Sequence, residues 1–289
     1  MKTLKTIISI TLIGSIAVFS SSCKRREGCT DPNAINYDSK AKHDDGSCEY
    51  SNTDDGTNTS TTANLTFKIN HLYNGQAIQF DTILYANLAG NNHSITRLRY
   101  IISDIRLYKS NGDSVMIDGY HFVDYKNTPS TDTYSPSVAI PKDTYTAIAF
   151  IFGLDSAKNI SNAYPDLNAV NWNWPEMLGG GYHFLQFEGN FIDSTGGTTG
   201  FAYHMGTARK ITATDTIFEQ NWFLAQLQNS TVTINGDATI NINMNLEQWF
   251  ENPHTWDLDT LNNMMMPNYT AQKLMNDNGR TVFTFGSIQ

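Results

Sequence analysis

From Asn64 onward the apolar residues of this chain recur mainly at every second position, a period that dictates strands rather than helices. In LTFKINHL, Leu65, Phe67 and Ile69 share one face and His71 continues it. In RLRYIISDIRLY, Leu98, Tyr100 and Ile102 alternate, the phase slips, and Ile105 and Leu107 resume, so a bulge is expected near Ser103–Asp104. SVMIDGYHFVDY, TYTAIAFIFG, GYHFLQFEGNF, GFAYHMG, TIFEQNWFLAQL, STVTING and ATININMNL read as further strands, with Asn111–Gly112 and Asn235–Gly236 as turns. Helical pattern is rare. Its best case is Tyr269 to Asp277, where Ala271, Leu274 and Met275 share a face and Asn278–Gly279 supplies a stop. Many strands and few short helices predict an all-β fold, a β-sandwich or related barrel, over residues 64–289.

The stretch before it reads as a series of attachments. Lys2 and Lys5 precede an apolar run from Ile7 to Phe19, thirteen residues long, too short to span a bilayer and suited to the centre of a signal peptide. Ser20, Ser21 and Ser22 then lead to Cys23. Residues 1–22 are therefore expected to be a lipoprotein signal peptide, with Cys23 lipidated and the mature chain anchored in a bacterial cell envelope; plain secretion is the alternative. With Cys23 acylated, Cys29 and Cys48 remain to form a disulfide, which persists only in an oxidising compartment. Residues 23–50 thus hold the anchor stretch and a stapled acidic module, GCTDPNAINYDSKAKHDDGSCEY. Asp31, Asn33, Asp44 and Asp45 offer hard oxygen ligands of the kind calcium takes, the alternative being a metal-free spacer. Residues 51–63 (SNTDDGTNTSTTA) have the composition of a flexible linker.

A net charge of −9 and the lack of a basic stripe argue against nucleic acid as a partner. No G-x-S-x-G elbow, phosphate-binding glycine loop or H-E-x-x-H occurs, and nothing in the chain asks for an enzyme. The histidines carry more. In FAYHMG, Phe201, Tyr203 and Met205 take one face and Ala202, His204 and Gly206 the other, which leaves the His204 imidazole uncrowded. His71 points inward at a sheet rim, where an imidazole needs a hydrogen bond or a metal. His183 and His121 lie in strands apolar on both faces and read as structural; His43 belongs to the acidic module, and His93 and His254 to loop-like surroundings. Met205 follows His204 directly, and Met264–Met265–Met266 form a run; thioether and imidazole together suit Cu(I), although Met is also ordinary core filler. Trp172 and Trp174 in NWNWPEM stack on sugars if exposed and plug the sandwich if buried.

In order along the chain, RLRYIISDIRLY, YHFVDY, AFIFGLDSAKN, NWNWPEMLGGGYHFLQFEG and FAYHMG resemble the blocks of the MbnP-like family of copper-binding envelope proteins. The resemblance covers most of the chain from Asn64 to the C-terminus. It implies an exported β-sandwich lipoprotein that handles copper, with a di-haem peroxidase-like protein as its usual partner. In copper-binding relatives, histidines and a Trp oxidised to kynurenine are implicated in the site. His204 matches a family block, His71 falls in the opening block, and Trp172 and Trp174 fall in the Trp-rich block; no W-x-H arrangement occurs here. The expected copper ligands are therefore His71 and His204, with His183, Met205, Trp172 and Trp174 as further contributors. The alternative is a metal-free surface module that recognises a glycan or a protein partner through Trp172, Trp174 and nearby Tyr residues.

Overall fold

The longest alternating segment becomes the spine of the larger sheet, the strand Arg97–Tyr108. Its phase slip is a bulge: the register with Ser114–Asp124 shifts between Ser103 and Ile105, and Asp104 adopts φ 51°. The side chain of Asp104 is buried there and meets the Lys158 ammonium, which also reaches Asp118 at 2.6 Å. A slip of one residue inverts every later side chain, so the bulge keeps Ile105 and Leu107 on the same core face as Leu98, Tyr100 and Ile102.

The computed structural model describes residues 26–49 and 60–289, and the chain divides into the units Met1–Thr59 and Ser60–Gln289. The expected signal peptide, Cys23 and most of the expected linker lie outside the described residues. In the first unit Cys29 and Cys48 form the expected disulfide. Its acidic side chains bond mainly within their own turns. Asp31 Oδ1 accepts from the backbone N–H and side chain of Asn33, Asp44 Oδ1 from Gly46 N–H, and Asp45 Oδ1 from Ser47 N–H. These are turn-forming bonds of short polar side chains to nearby backbone, the arrangement of a metal-free spacer. Among the described residues no group of three or more His, Cys, Asp or Glu could hold a metal ion.

The second unit is the expected β-sandwich. An 8-stranded sheet runs in the order Phe223–Leu227, Ala147–Phe152, Arg97–Tyr108, Leu185–Ile192, Asn92–His93, Tyr85–Ala86, with Ser114–Asp124 and Thr198–Met205 also paired into it. A 5-stranded sheet contains Phe283–Ile288, Ala238–Asn245, Leu65–Tyr73 and Gln76–Ala77, with Thr133–Tyr134 on Leu65–Tyr73. Ala238–Asn245 and Leu65–Tyr73 run parallel. Phe67, Ile69, Tyr100, Phe150, Phe152, Phe187, Tyr203, Ile240 and Ile242 belong to one buried apolar cluster. The first strand pairing falls at Thr62–Ala63, against Ile140–Pro141, slightly ahead of the expected boundary.

The main helix spans Tyr269–Val282, longer than its pattern suggested. The Asn268 side chain caps its start by accepting from Ala271 N–H. Asn278–Gly279 does not stop it, because Gly279 serves another end: a Cβ there would lie 2.5 Å from the Phe223 ring and 2.8 Å from Trp249. The glycine lets the helix backbone approach these rings.

Burial leaves His71 and His93 neutral, with pKa values lowered by desolvation to about 3 and about 4. His93 sits in a short strand among Tyr73, Tyr85, Phe201 and Phe250 rather than in a loop. An unfolded chain binds protons at these groups below about pH 6.5, whereas the folded one does not until about pH 4. Stability is therefore fully present above pH 6.5 and falls as pH drops, by about 1.4 kcal/mol per pH unit for each imidazole. The urea midpoint should fall between pH 7 and pH 4.5, and His93→Phe should flatten that slope; an unchanged slope contradicts a neutral buried His93.

Candidate metal centre

Register across four adjoining strands decides what each side chain can reach. His204 lies opposite Gln186, Gln186 opposite Arg99, and Arg99 opposite Asp124. Directly opposed residues share a face, so these four form one row. The neighbouring row is Met205, Leu185, Tyr100 and Val123, and it is wholly buried in the core. His71 belongs to the core side, since its Nε2 lies 2.8 Å from the Tyr100 hydroxyl. His71 and His204 therefore stand on opposite faces of one sheet. The structure does not assemble the expected His71–His204 centre, and it places Met205 in the core row, away from the His204 imidazole.

On the outer face the structure brings other candidates together. The segment after Ala169 folds back through Gly179, Gly180 and Gly181, all left-handed, so that Asn173 bridges Tyr182 and His183 N–H donates to Trp172 O at 2.9 Å. This lays both indoles over the row. Trp172 is wholly buried beside Phe122, with the Arg99 guanidinium 5.0 Å from its ring. Trp174 packs onto Gly206, where a Cβ would lie 2.5 Å from the indole. The small residue beside His204 thus admits an indole instead of leaving open space. With exposures of 0% and 1%, Trp172 and Trp174 offer no surface for stacking on a sugar, which removes the glycan-platform alternative as drawn from them.

His183 sits between the indoles, 5.3 Å from Trp172 and 4.9 Å from Trp174 by ring centroids, and 5.4 Å from His204. Its Nδ1 lies 3.1 Å from Trp172 O, a carbonyl that only accepts, so Nδ1 carries the proton and Nε2 the lone pair. Burial, with His204 nearby, lowers its pKa to about 3 and keeps the ring neutral. His204 Nε2 lies 2.8 Å from Glu188 Oε1, and Arg97 donates to the same oxygen at 2.7 Å. Burial pushes the Glu188 carboxyl up, but the hydrogen bond from His204 and the charges of His204 and Arg97 outweigh it and hold the pKa low. An ionised carboxylate accepts, so Nε2 of His204 is the donor and, in the neutral ring, Nδ1 holds the lone pair. Both imidazoles are thus oriented as metal-binding histidines are, with the second nitrogen donating to a carbonyl or a carboxylate.

His71 differs. Tyr100 is a buried phenol kept protonated by desolvation, and His71 is its hydroxyl's one hydrogen-bond partner among the described residues. Donation from Tyr100 into Nε2 leaves one orphan, the buried Nδ1–H; the other tautomer strands both the hydroxyl proton and a lone pair. His71 lines an open cavity of about 410 Å³ with Lys68, Tyr125 and Asp132, away from the indoles. Its lone pair is spent on Tyr100.

Glu188, Gln186 and Arg99 were missed by the sequence reading. Alternation does put Gln186 and Glu188 on one face of LQFEG and Arg97 and Arg99 on one face of RLRY, so a search for polar rows would have found them.

The site thus defines an antiparallel-rich β-sandwich with an imidazole pair roofed by indoles on its outer face. The MbnP family model matches residues 62–267, and the chain belongs to the MbnP family. The solved structure of MbnP from Methylosinus trichosporium is similar in fold, with a TM-score of 0.54 and 17% sequence identity over 79% of this chain and 99% of that one. No curated protein matches the chain.

Nitrogen NMR tests the tautomer. His204 should be Nε2-protonated in the native protein and in Glu188→Gln, whose amide oxygen still accepts. Glu188→Leu should give a tautomer mixture; an unmixed Nε2–H signal there contradicts the role assigned to Glu188.

Proposed function

We propose that this protein handles copper in a bacterial cell envelope, held there by a lipid on Cys23, and binds Cu(I) through His183 Nε2 and His204 Nδ1. The observation that carries the reading is the imidazole pair 5.4 Å apart, each ring oriented by an acceptor on its other nitrogen. Two imidazoles, each offering one ring nitrogen, suit a soft monovalent ion that accepts few ligands. Calcium takes six or more oxygens and structural zinc four ligands, and nothing comparable gathers among the described residues. Family membership supports copper as the metal. Trp172 and Trp174 shield the pair from water, and Glu188 and Arg97 hold His204 in place. A di-haem peroxidase-like partner and a non-enzymatic role belong to the same proposal.

Anaerobic titration against a chromogenic Cu(I) chelator should give about one Cu(I) per chain. His183→Ala and His204→Ala should each weaken binding at least about a hundredfold, while His71→Phe leaves it unchanged. Full binding in the double His183/His204 variant rejects the site, and loss in His71→Phe returns the ligand to the core side.

A further inference from the structure

One edge of the strand Leu65–Tyr73 is interrupted. Ala238–Asn245 covers its other edge from Leu65 to Leu72. On the interrupted edge Thr133–Tyr134 pairs at Phe67–Lys68, Gln76–Ala77 pairs at Leu72–Tyr73, and Ile78 N–H donates to His71 O at 3.1 Å. Between them Ile69, Asn70 and His71 face no strand among the described residues, a gap of about 10 Å. The cavity of about 410 Å³ beside His71 lies at this gap, with Lys68, Asn70, Tyr125, Asp132 and Asn243 as its other polar walls. Its volume falls within the range of small-molecule sites, about 300–1,000 Å³. A peptide strand cannot be added there, because the two short strands block the gap at both ends. The ligand that fits is compact.

Four lining residues keep hydrogen-bonding capacity that nothing among the described residues uses. Asn70 and Asn243 stand opposite each other, and Asn70 Nδ2 donates to Asn243 Oδ1 at 3.0 Å. That leaves Asn70 Oδ1 as an acceptor and Asn243 Nδ2 as a donor. The Tyr125 ring stacks on His71 at 3.9 Å, and its hydroxyl bonds to no described residue. His71, 2% exposed, carries the orphan Nδ1–H left by donation from Tyr100 into Nε2. A buried donor without a partner in the wall of a polar cavity points to an occupant.

The charges at the cavity are spent on each other. Lys68 Nζ lies 3.4 Å from Asp132 Oδ2, so an ionic ligand would have to break that pair. Amides, a phenol and an imidazole N–H instead match hydroxyl groups, which donate and accept at once. Leu72 and the Tyr125 ring add apolar wall for the C–H face of a saturated ring. We propose that this gap binds one neutral pyranose ring, its hydroxyl groups meeting the Asn70–Asn243 amide pair, Tyr125 and His71. The site does not depend on copper.

Amide NMR of the full mature chain, titrated with glucose, galactose, mannose and N-acetylglucosamine, tests it. At least one of these sugars should shift the Asn70, His71 and Asn243 signals saturably, while glycine, a small zwitterion, should not. Tyr125→Phe keeps the stack on His71 and removes only the hydroxyl, and Asn243→Leu removes the amide. Each should weaken the sugar about three- to tenfold, the worth of one hydrogen bond, with the rest of the spectrum unchanged as the check on folding. A saturable response to glycine, no response to any of the four sugars, or unchanged affinity in both variants overturns the proposal.

Discussion

Cross-strand register is the constraint on which the rest of this structure depends. Two neighbouring rows run across the same four strands, one residue apart, and they do opposite things. The row Met205, Leu185, Tyr100, Val123 closes the core. The row His204, Gln186, Arg99, Asp124 carries hydrogen bonds and charge, with Arg99 donating to Gln186 at 3.2 Å and pairing with Asp124 at 3.3 Å. A slip of one residue in any of these strands would bury the charged row and expose the apolar one. The bulge at Asp104 belongs to the same logic, since it repairs the phase of the longest strand without moving either row.

The second principle is the identity of each hydrogen-bond partner. His71 and His183 are buried and neutral, His204 is half-buried, and in each case the neighbour says what the ring nitrogens do. A carbonyl at His183 and a carboxylate at His204 leave lone pairs; a phenol at His71 supplies a proton and consumes one. These assignments separate an imidazole with a lone pair to offer from one without, where burial alone does not. They also set the outer face apart from the open cavity beside His71, whose imidazole is already engaged with Tyr100.

Much of the fold was legible because period-two alternation reports faces directly. Arg97–Tyr108 and its bulge lie within a segment read as a strand from the pattern, and Thr198–Met205 and Leu185–Ile192 largely overlap two others. Gly279 misled, because a glycine that ends a helix and one that admits two aromatic rings look the same in sequence. The indoles were legible as alternatives, and burial chose between them. The site was only half legible. His204 and its small neighbours stood out, but pairing it with His71 required knowing which face each strand presents after assembly. His183 was hidden by its apolar flanks, since its partners Trp172 and His204 lie 11 and 21 residues away along the chain.

The parallel pairing of Leu65–Tyr73 with Ala238–Asn245 bears on when this domain can form. The strand made first lacks its long neighbour until residues more than 170 positions later exist, as the register Ala238 to Leu65 requires. Such distant contacts close a large loop, and they slow folding relative to local ones. Through most of its synthesis the domain is therefore a chain with an unfinished smaller sheet, slow to lock and easy to keep extended. A polypeptide that has to pass through a narrow channel before it folds gains from that delay.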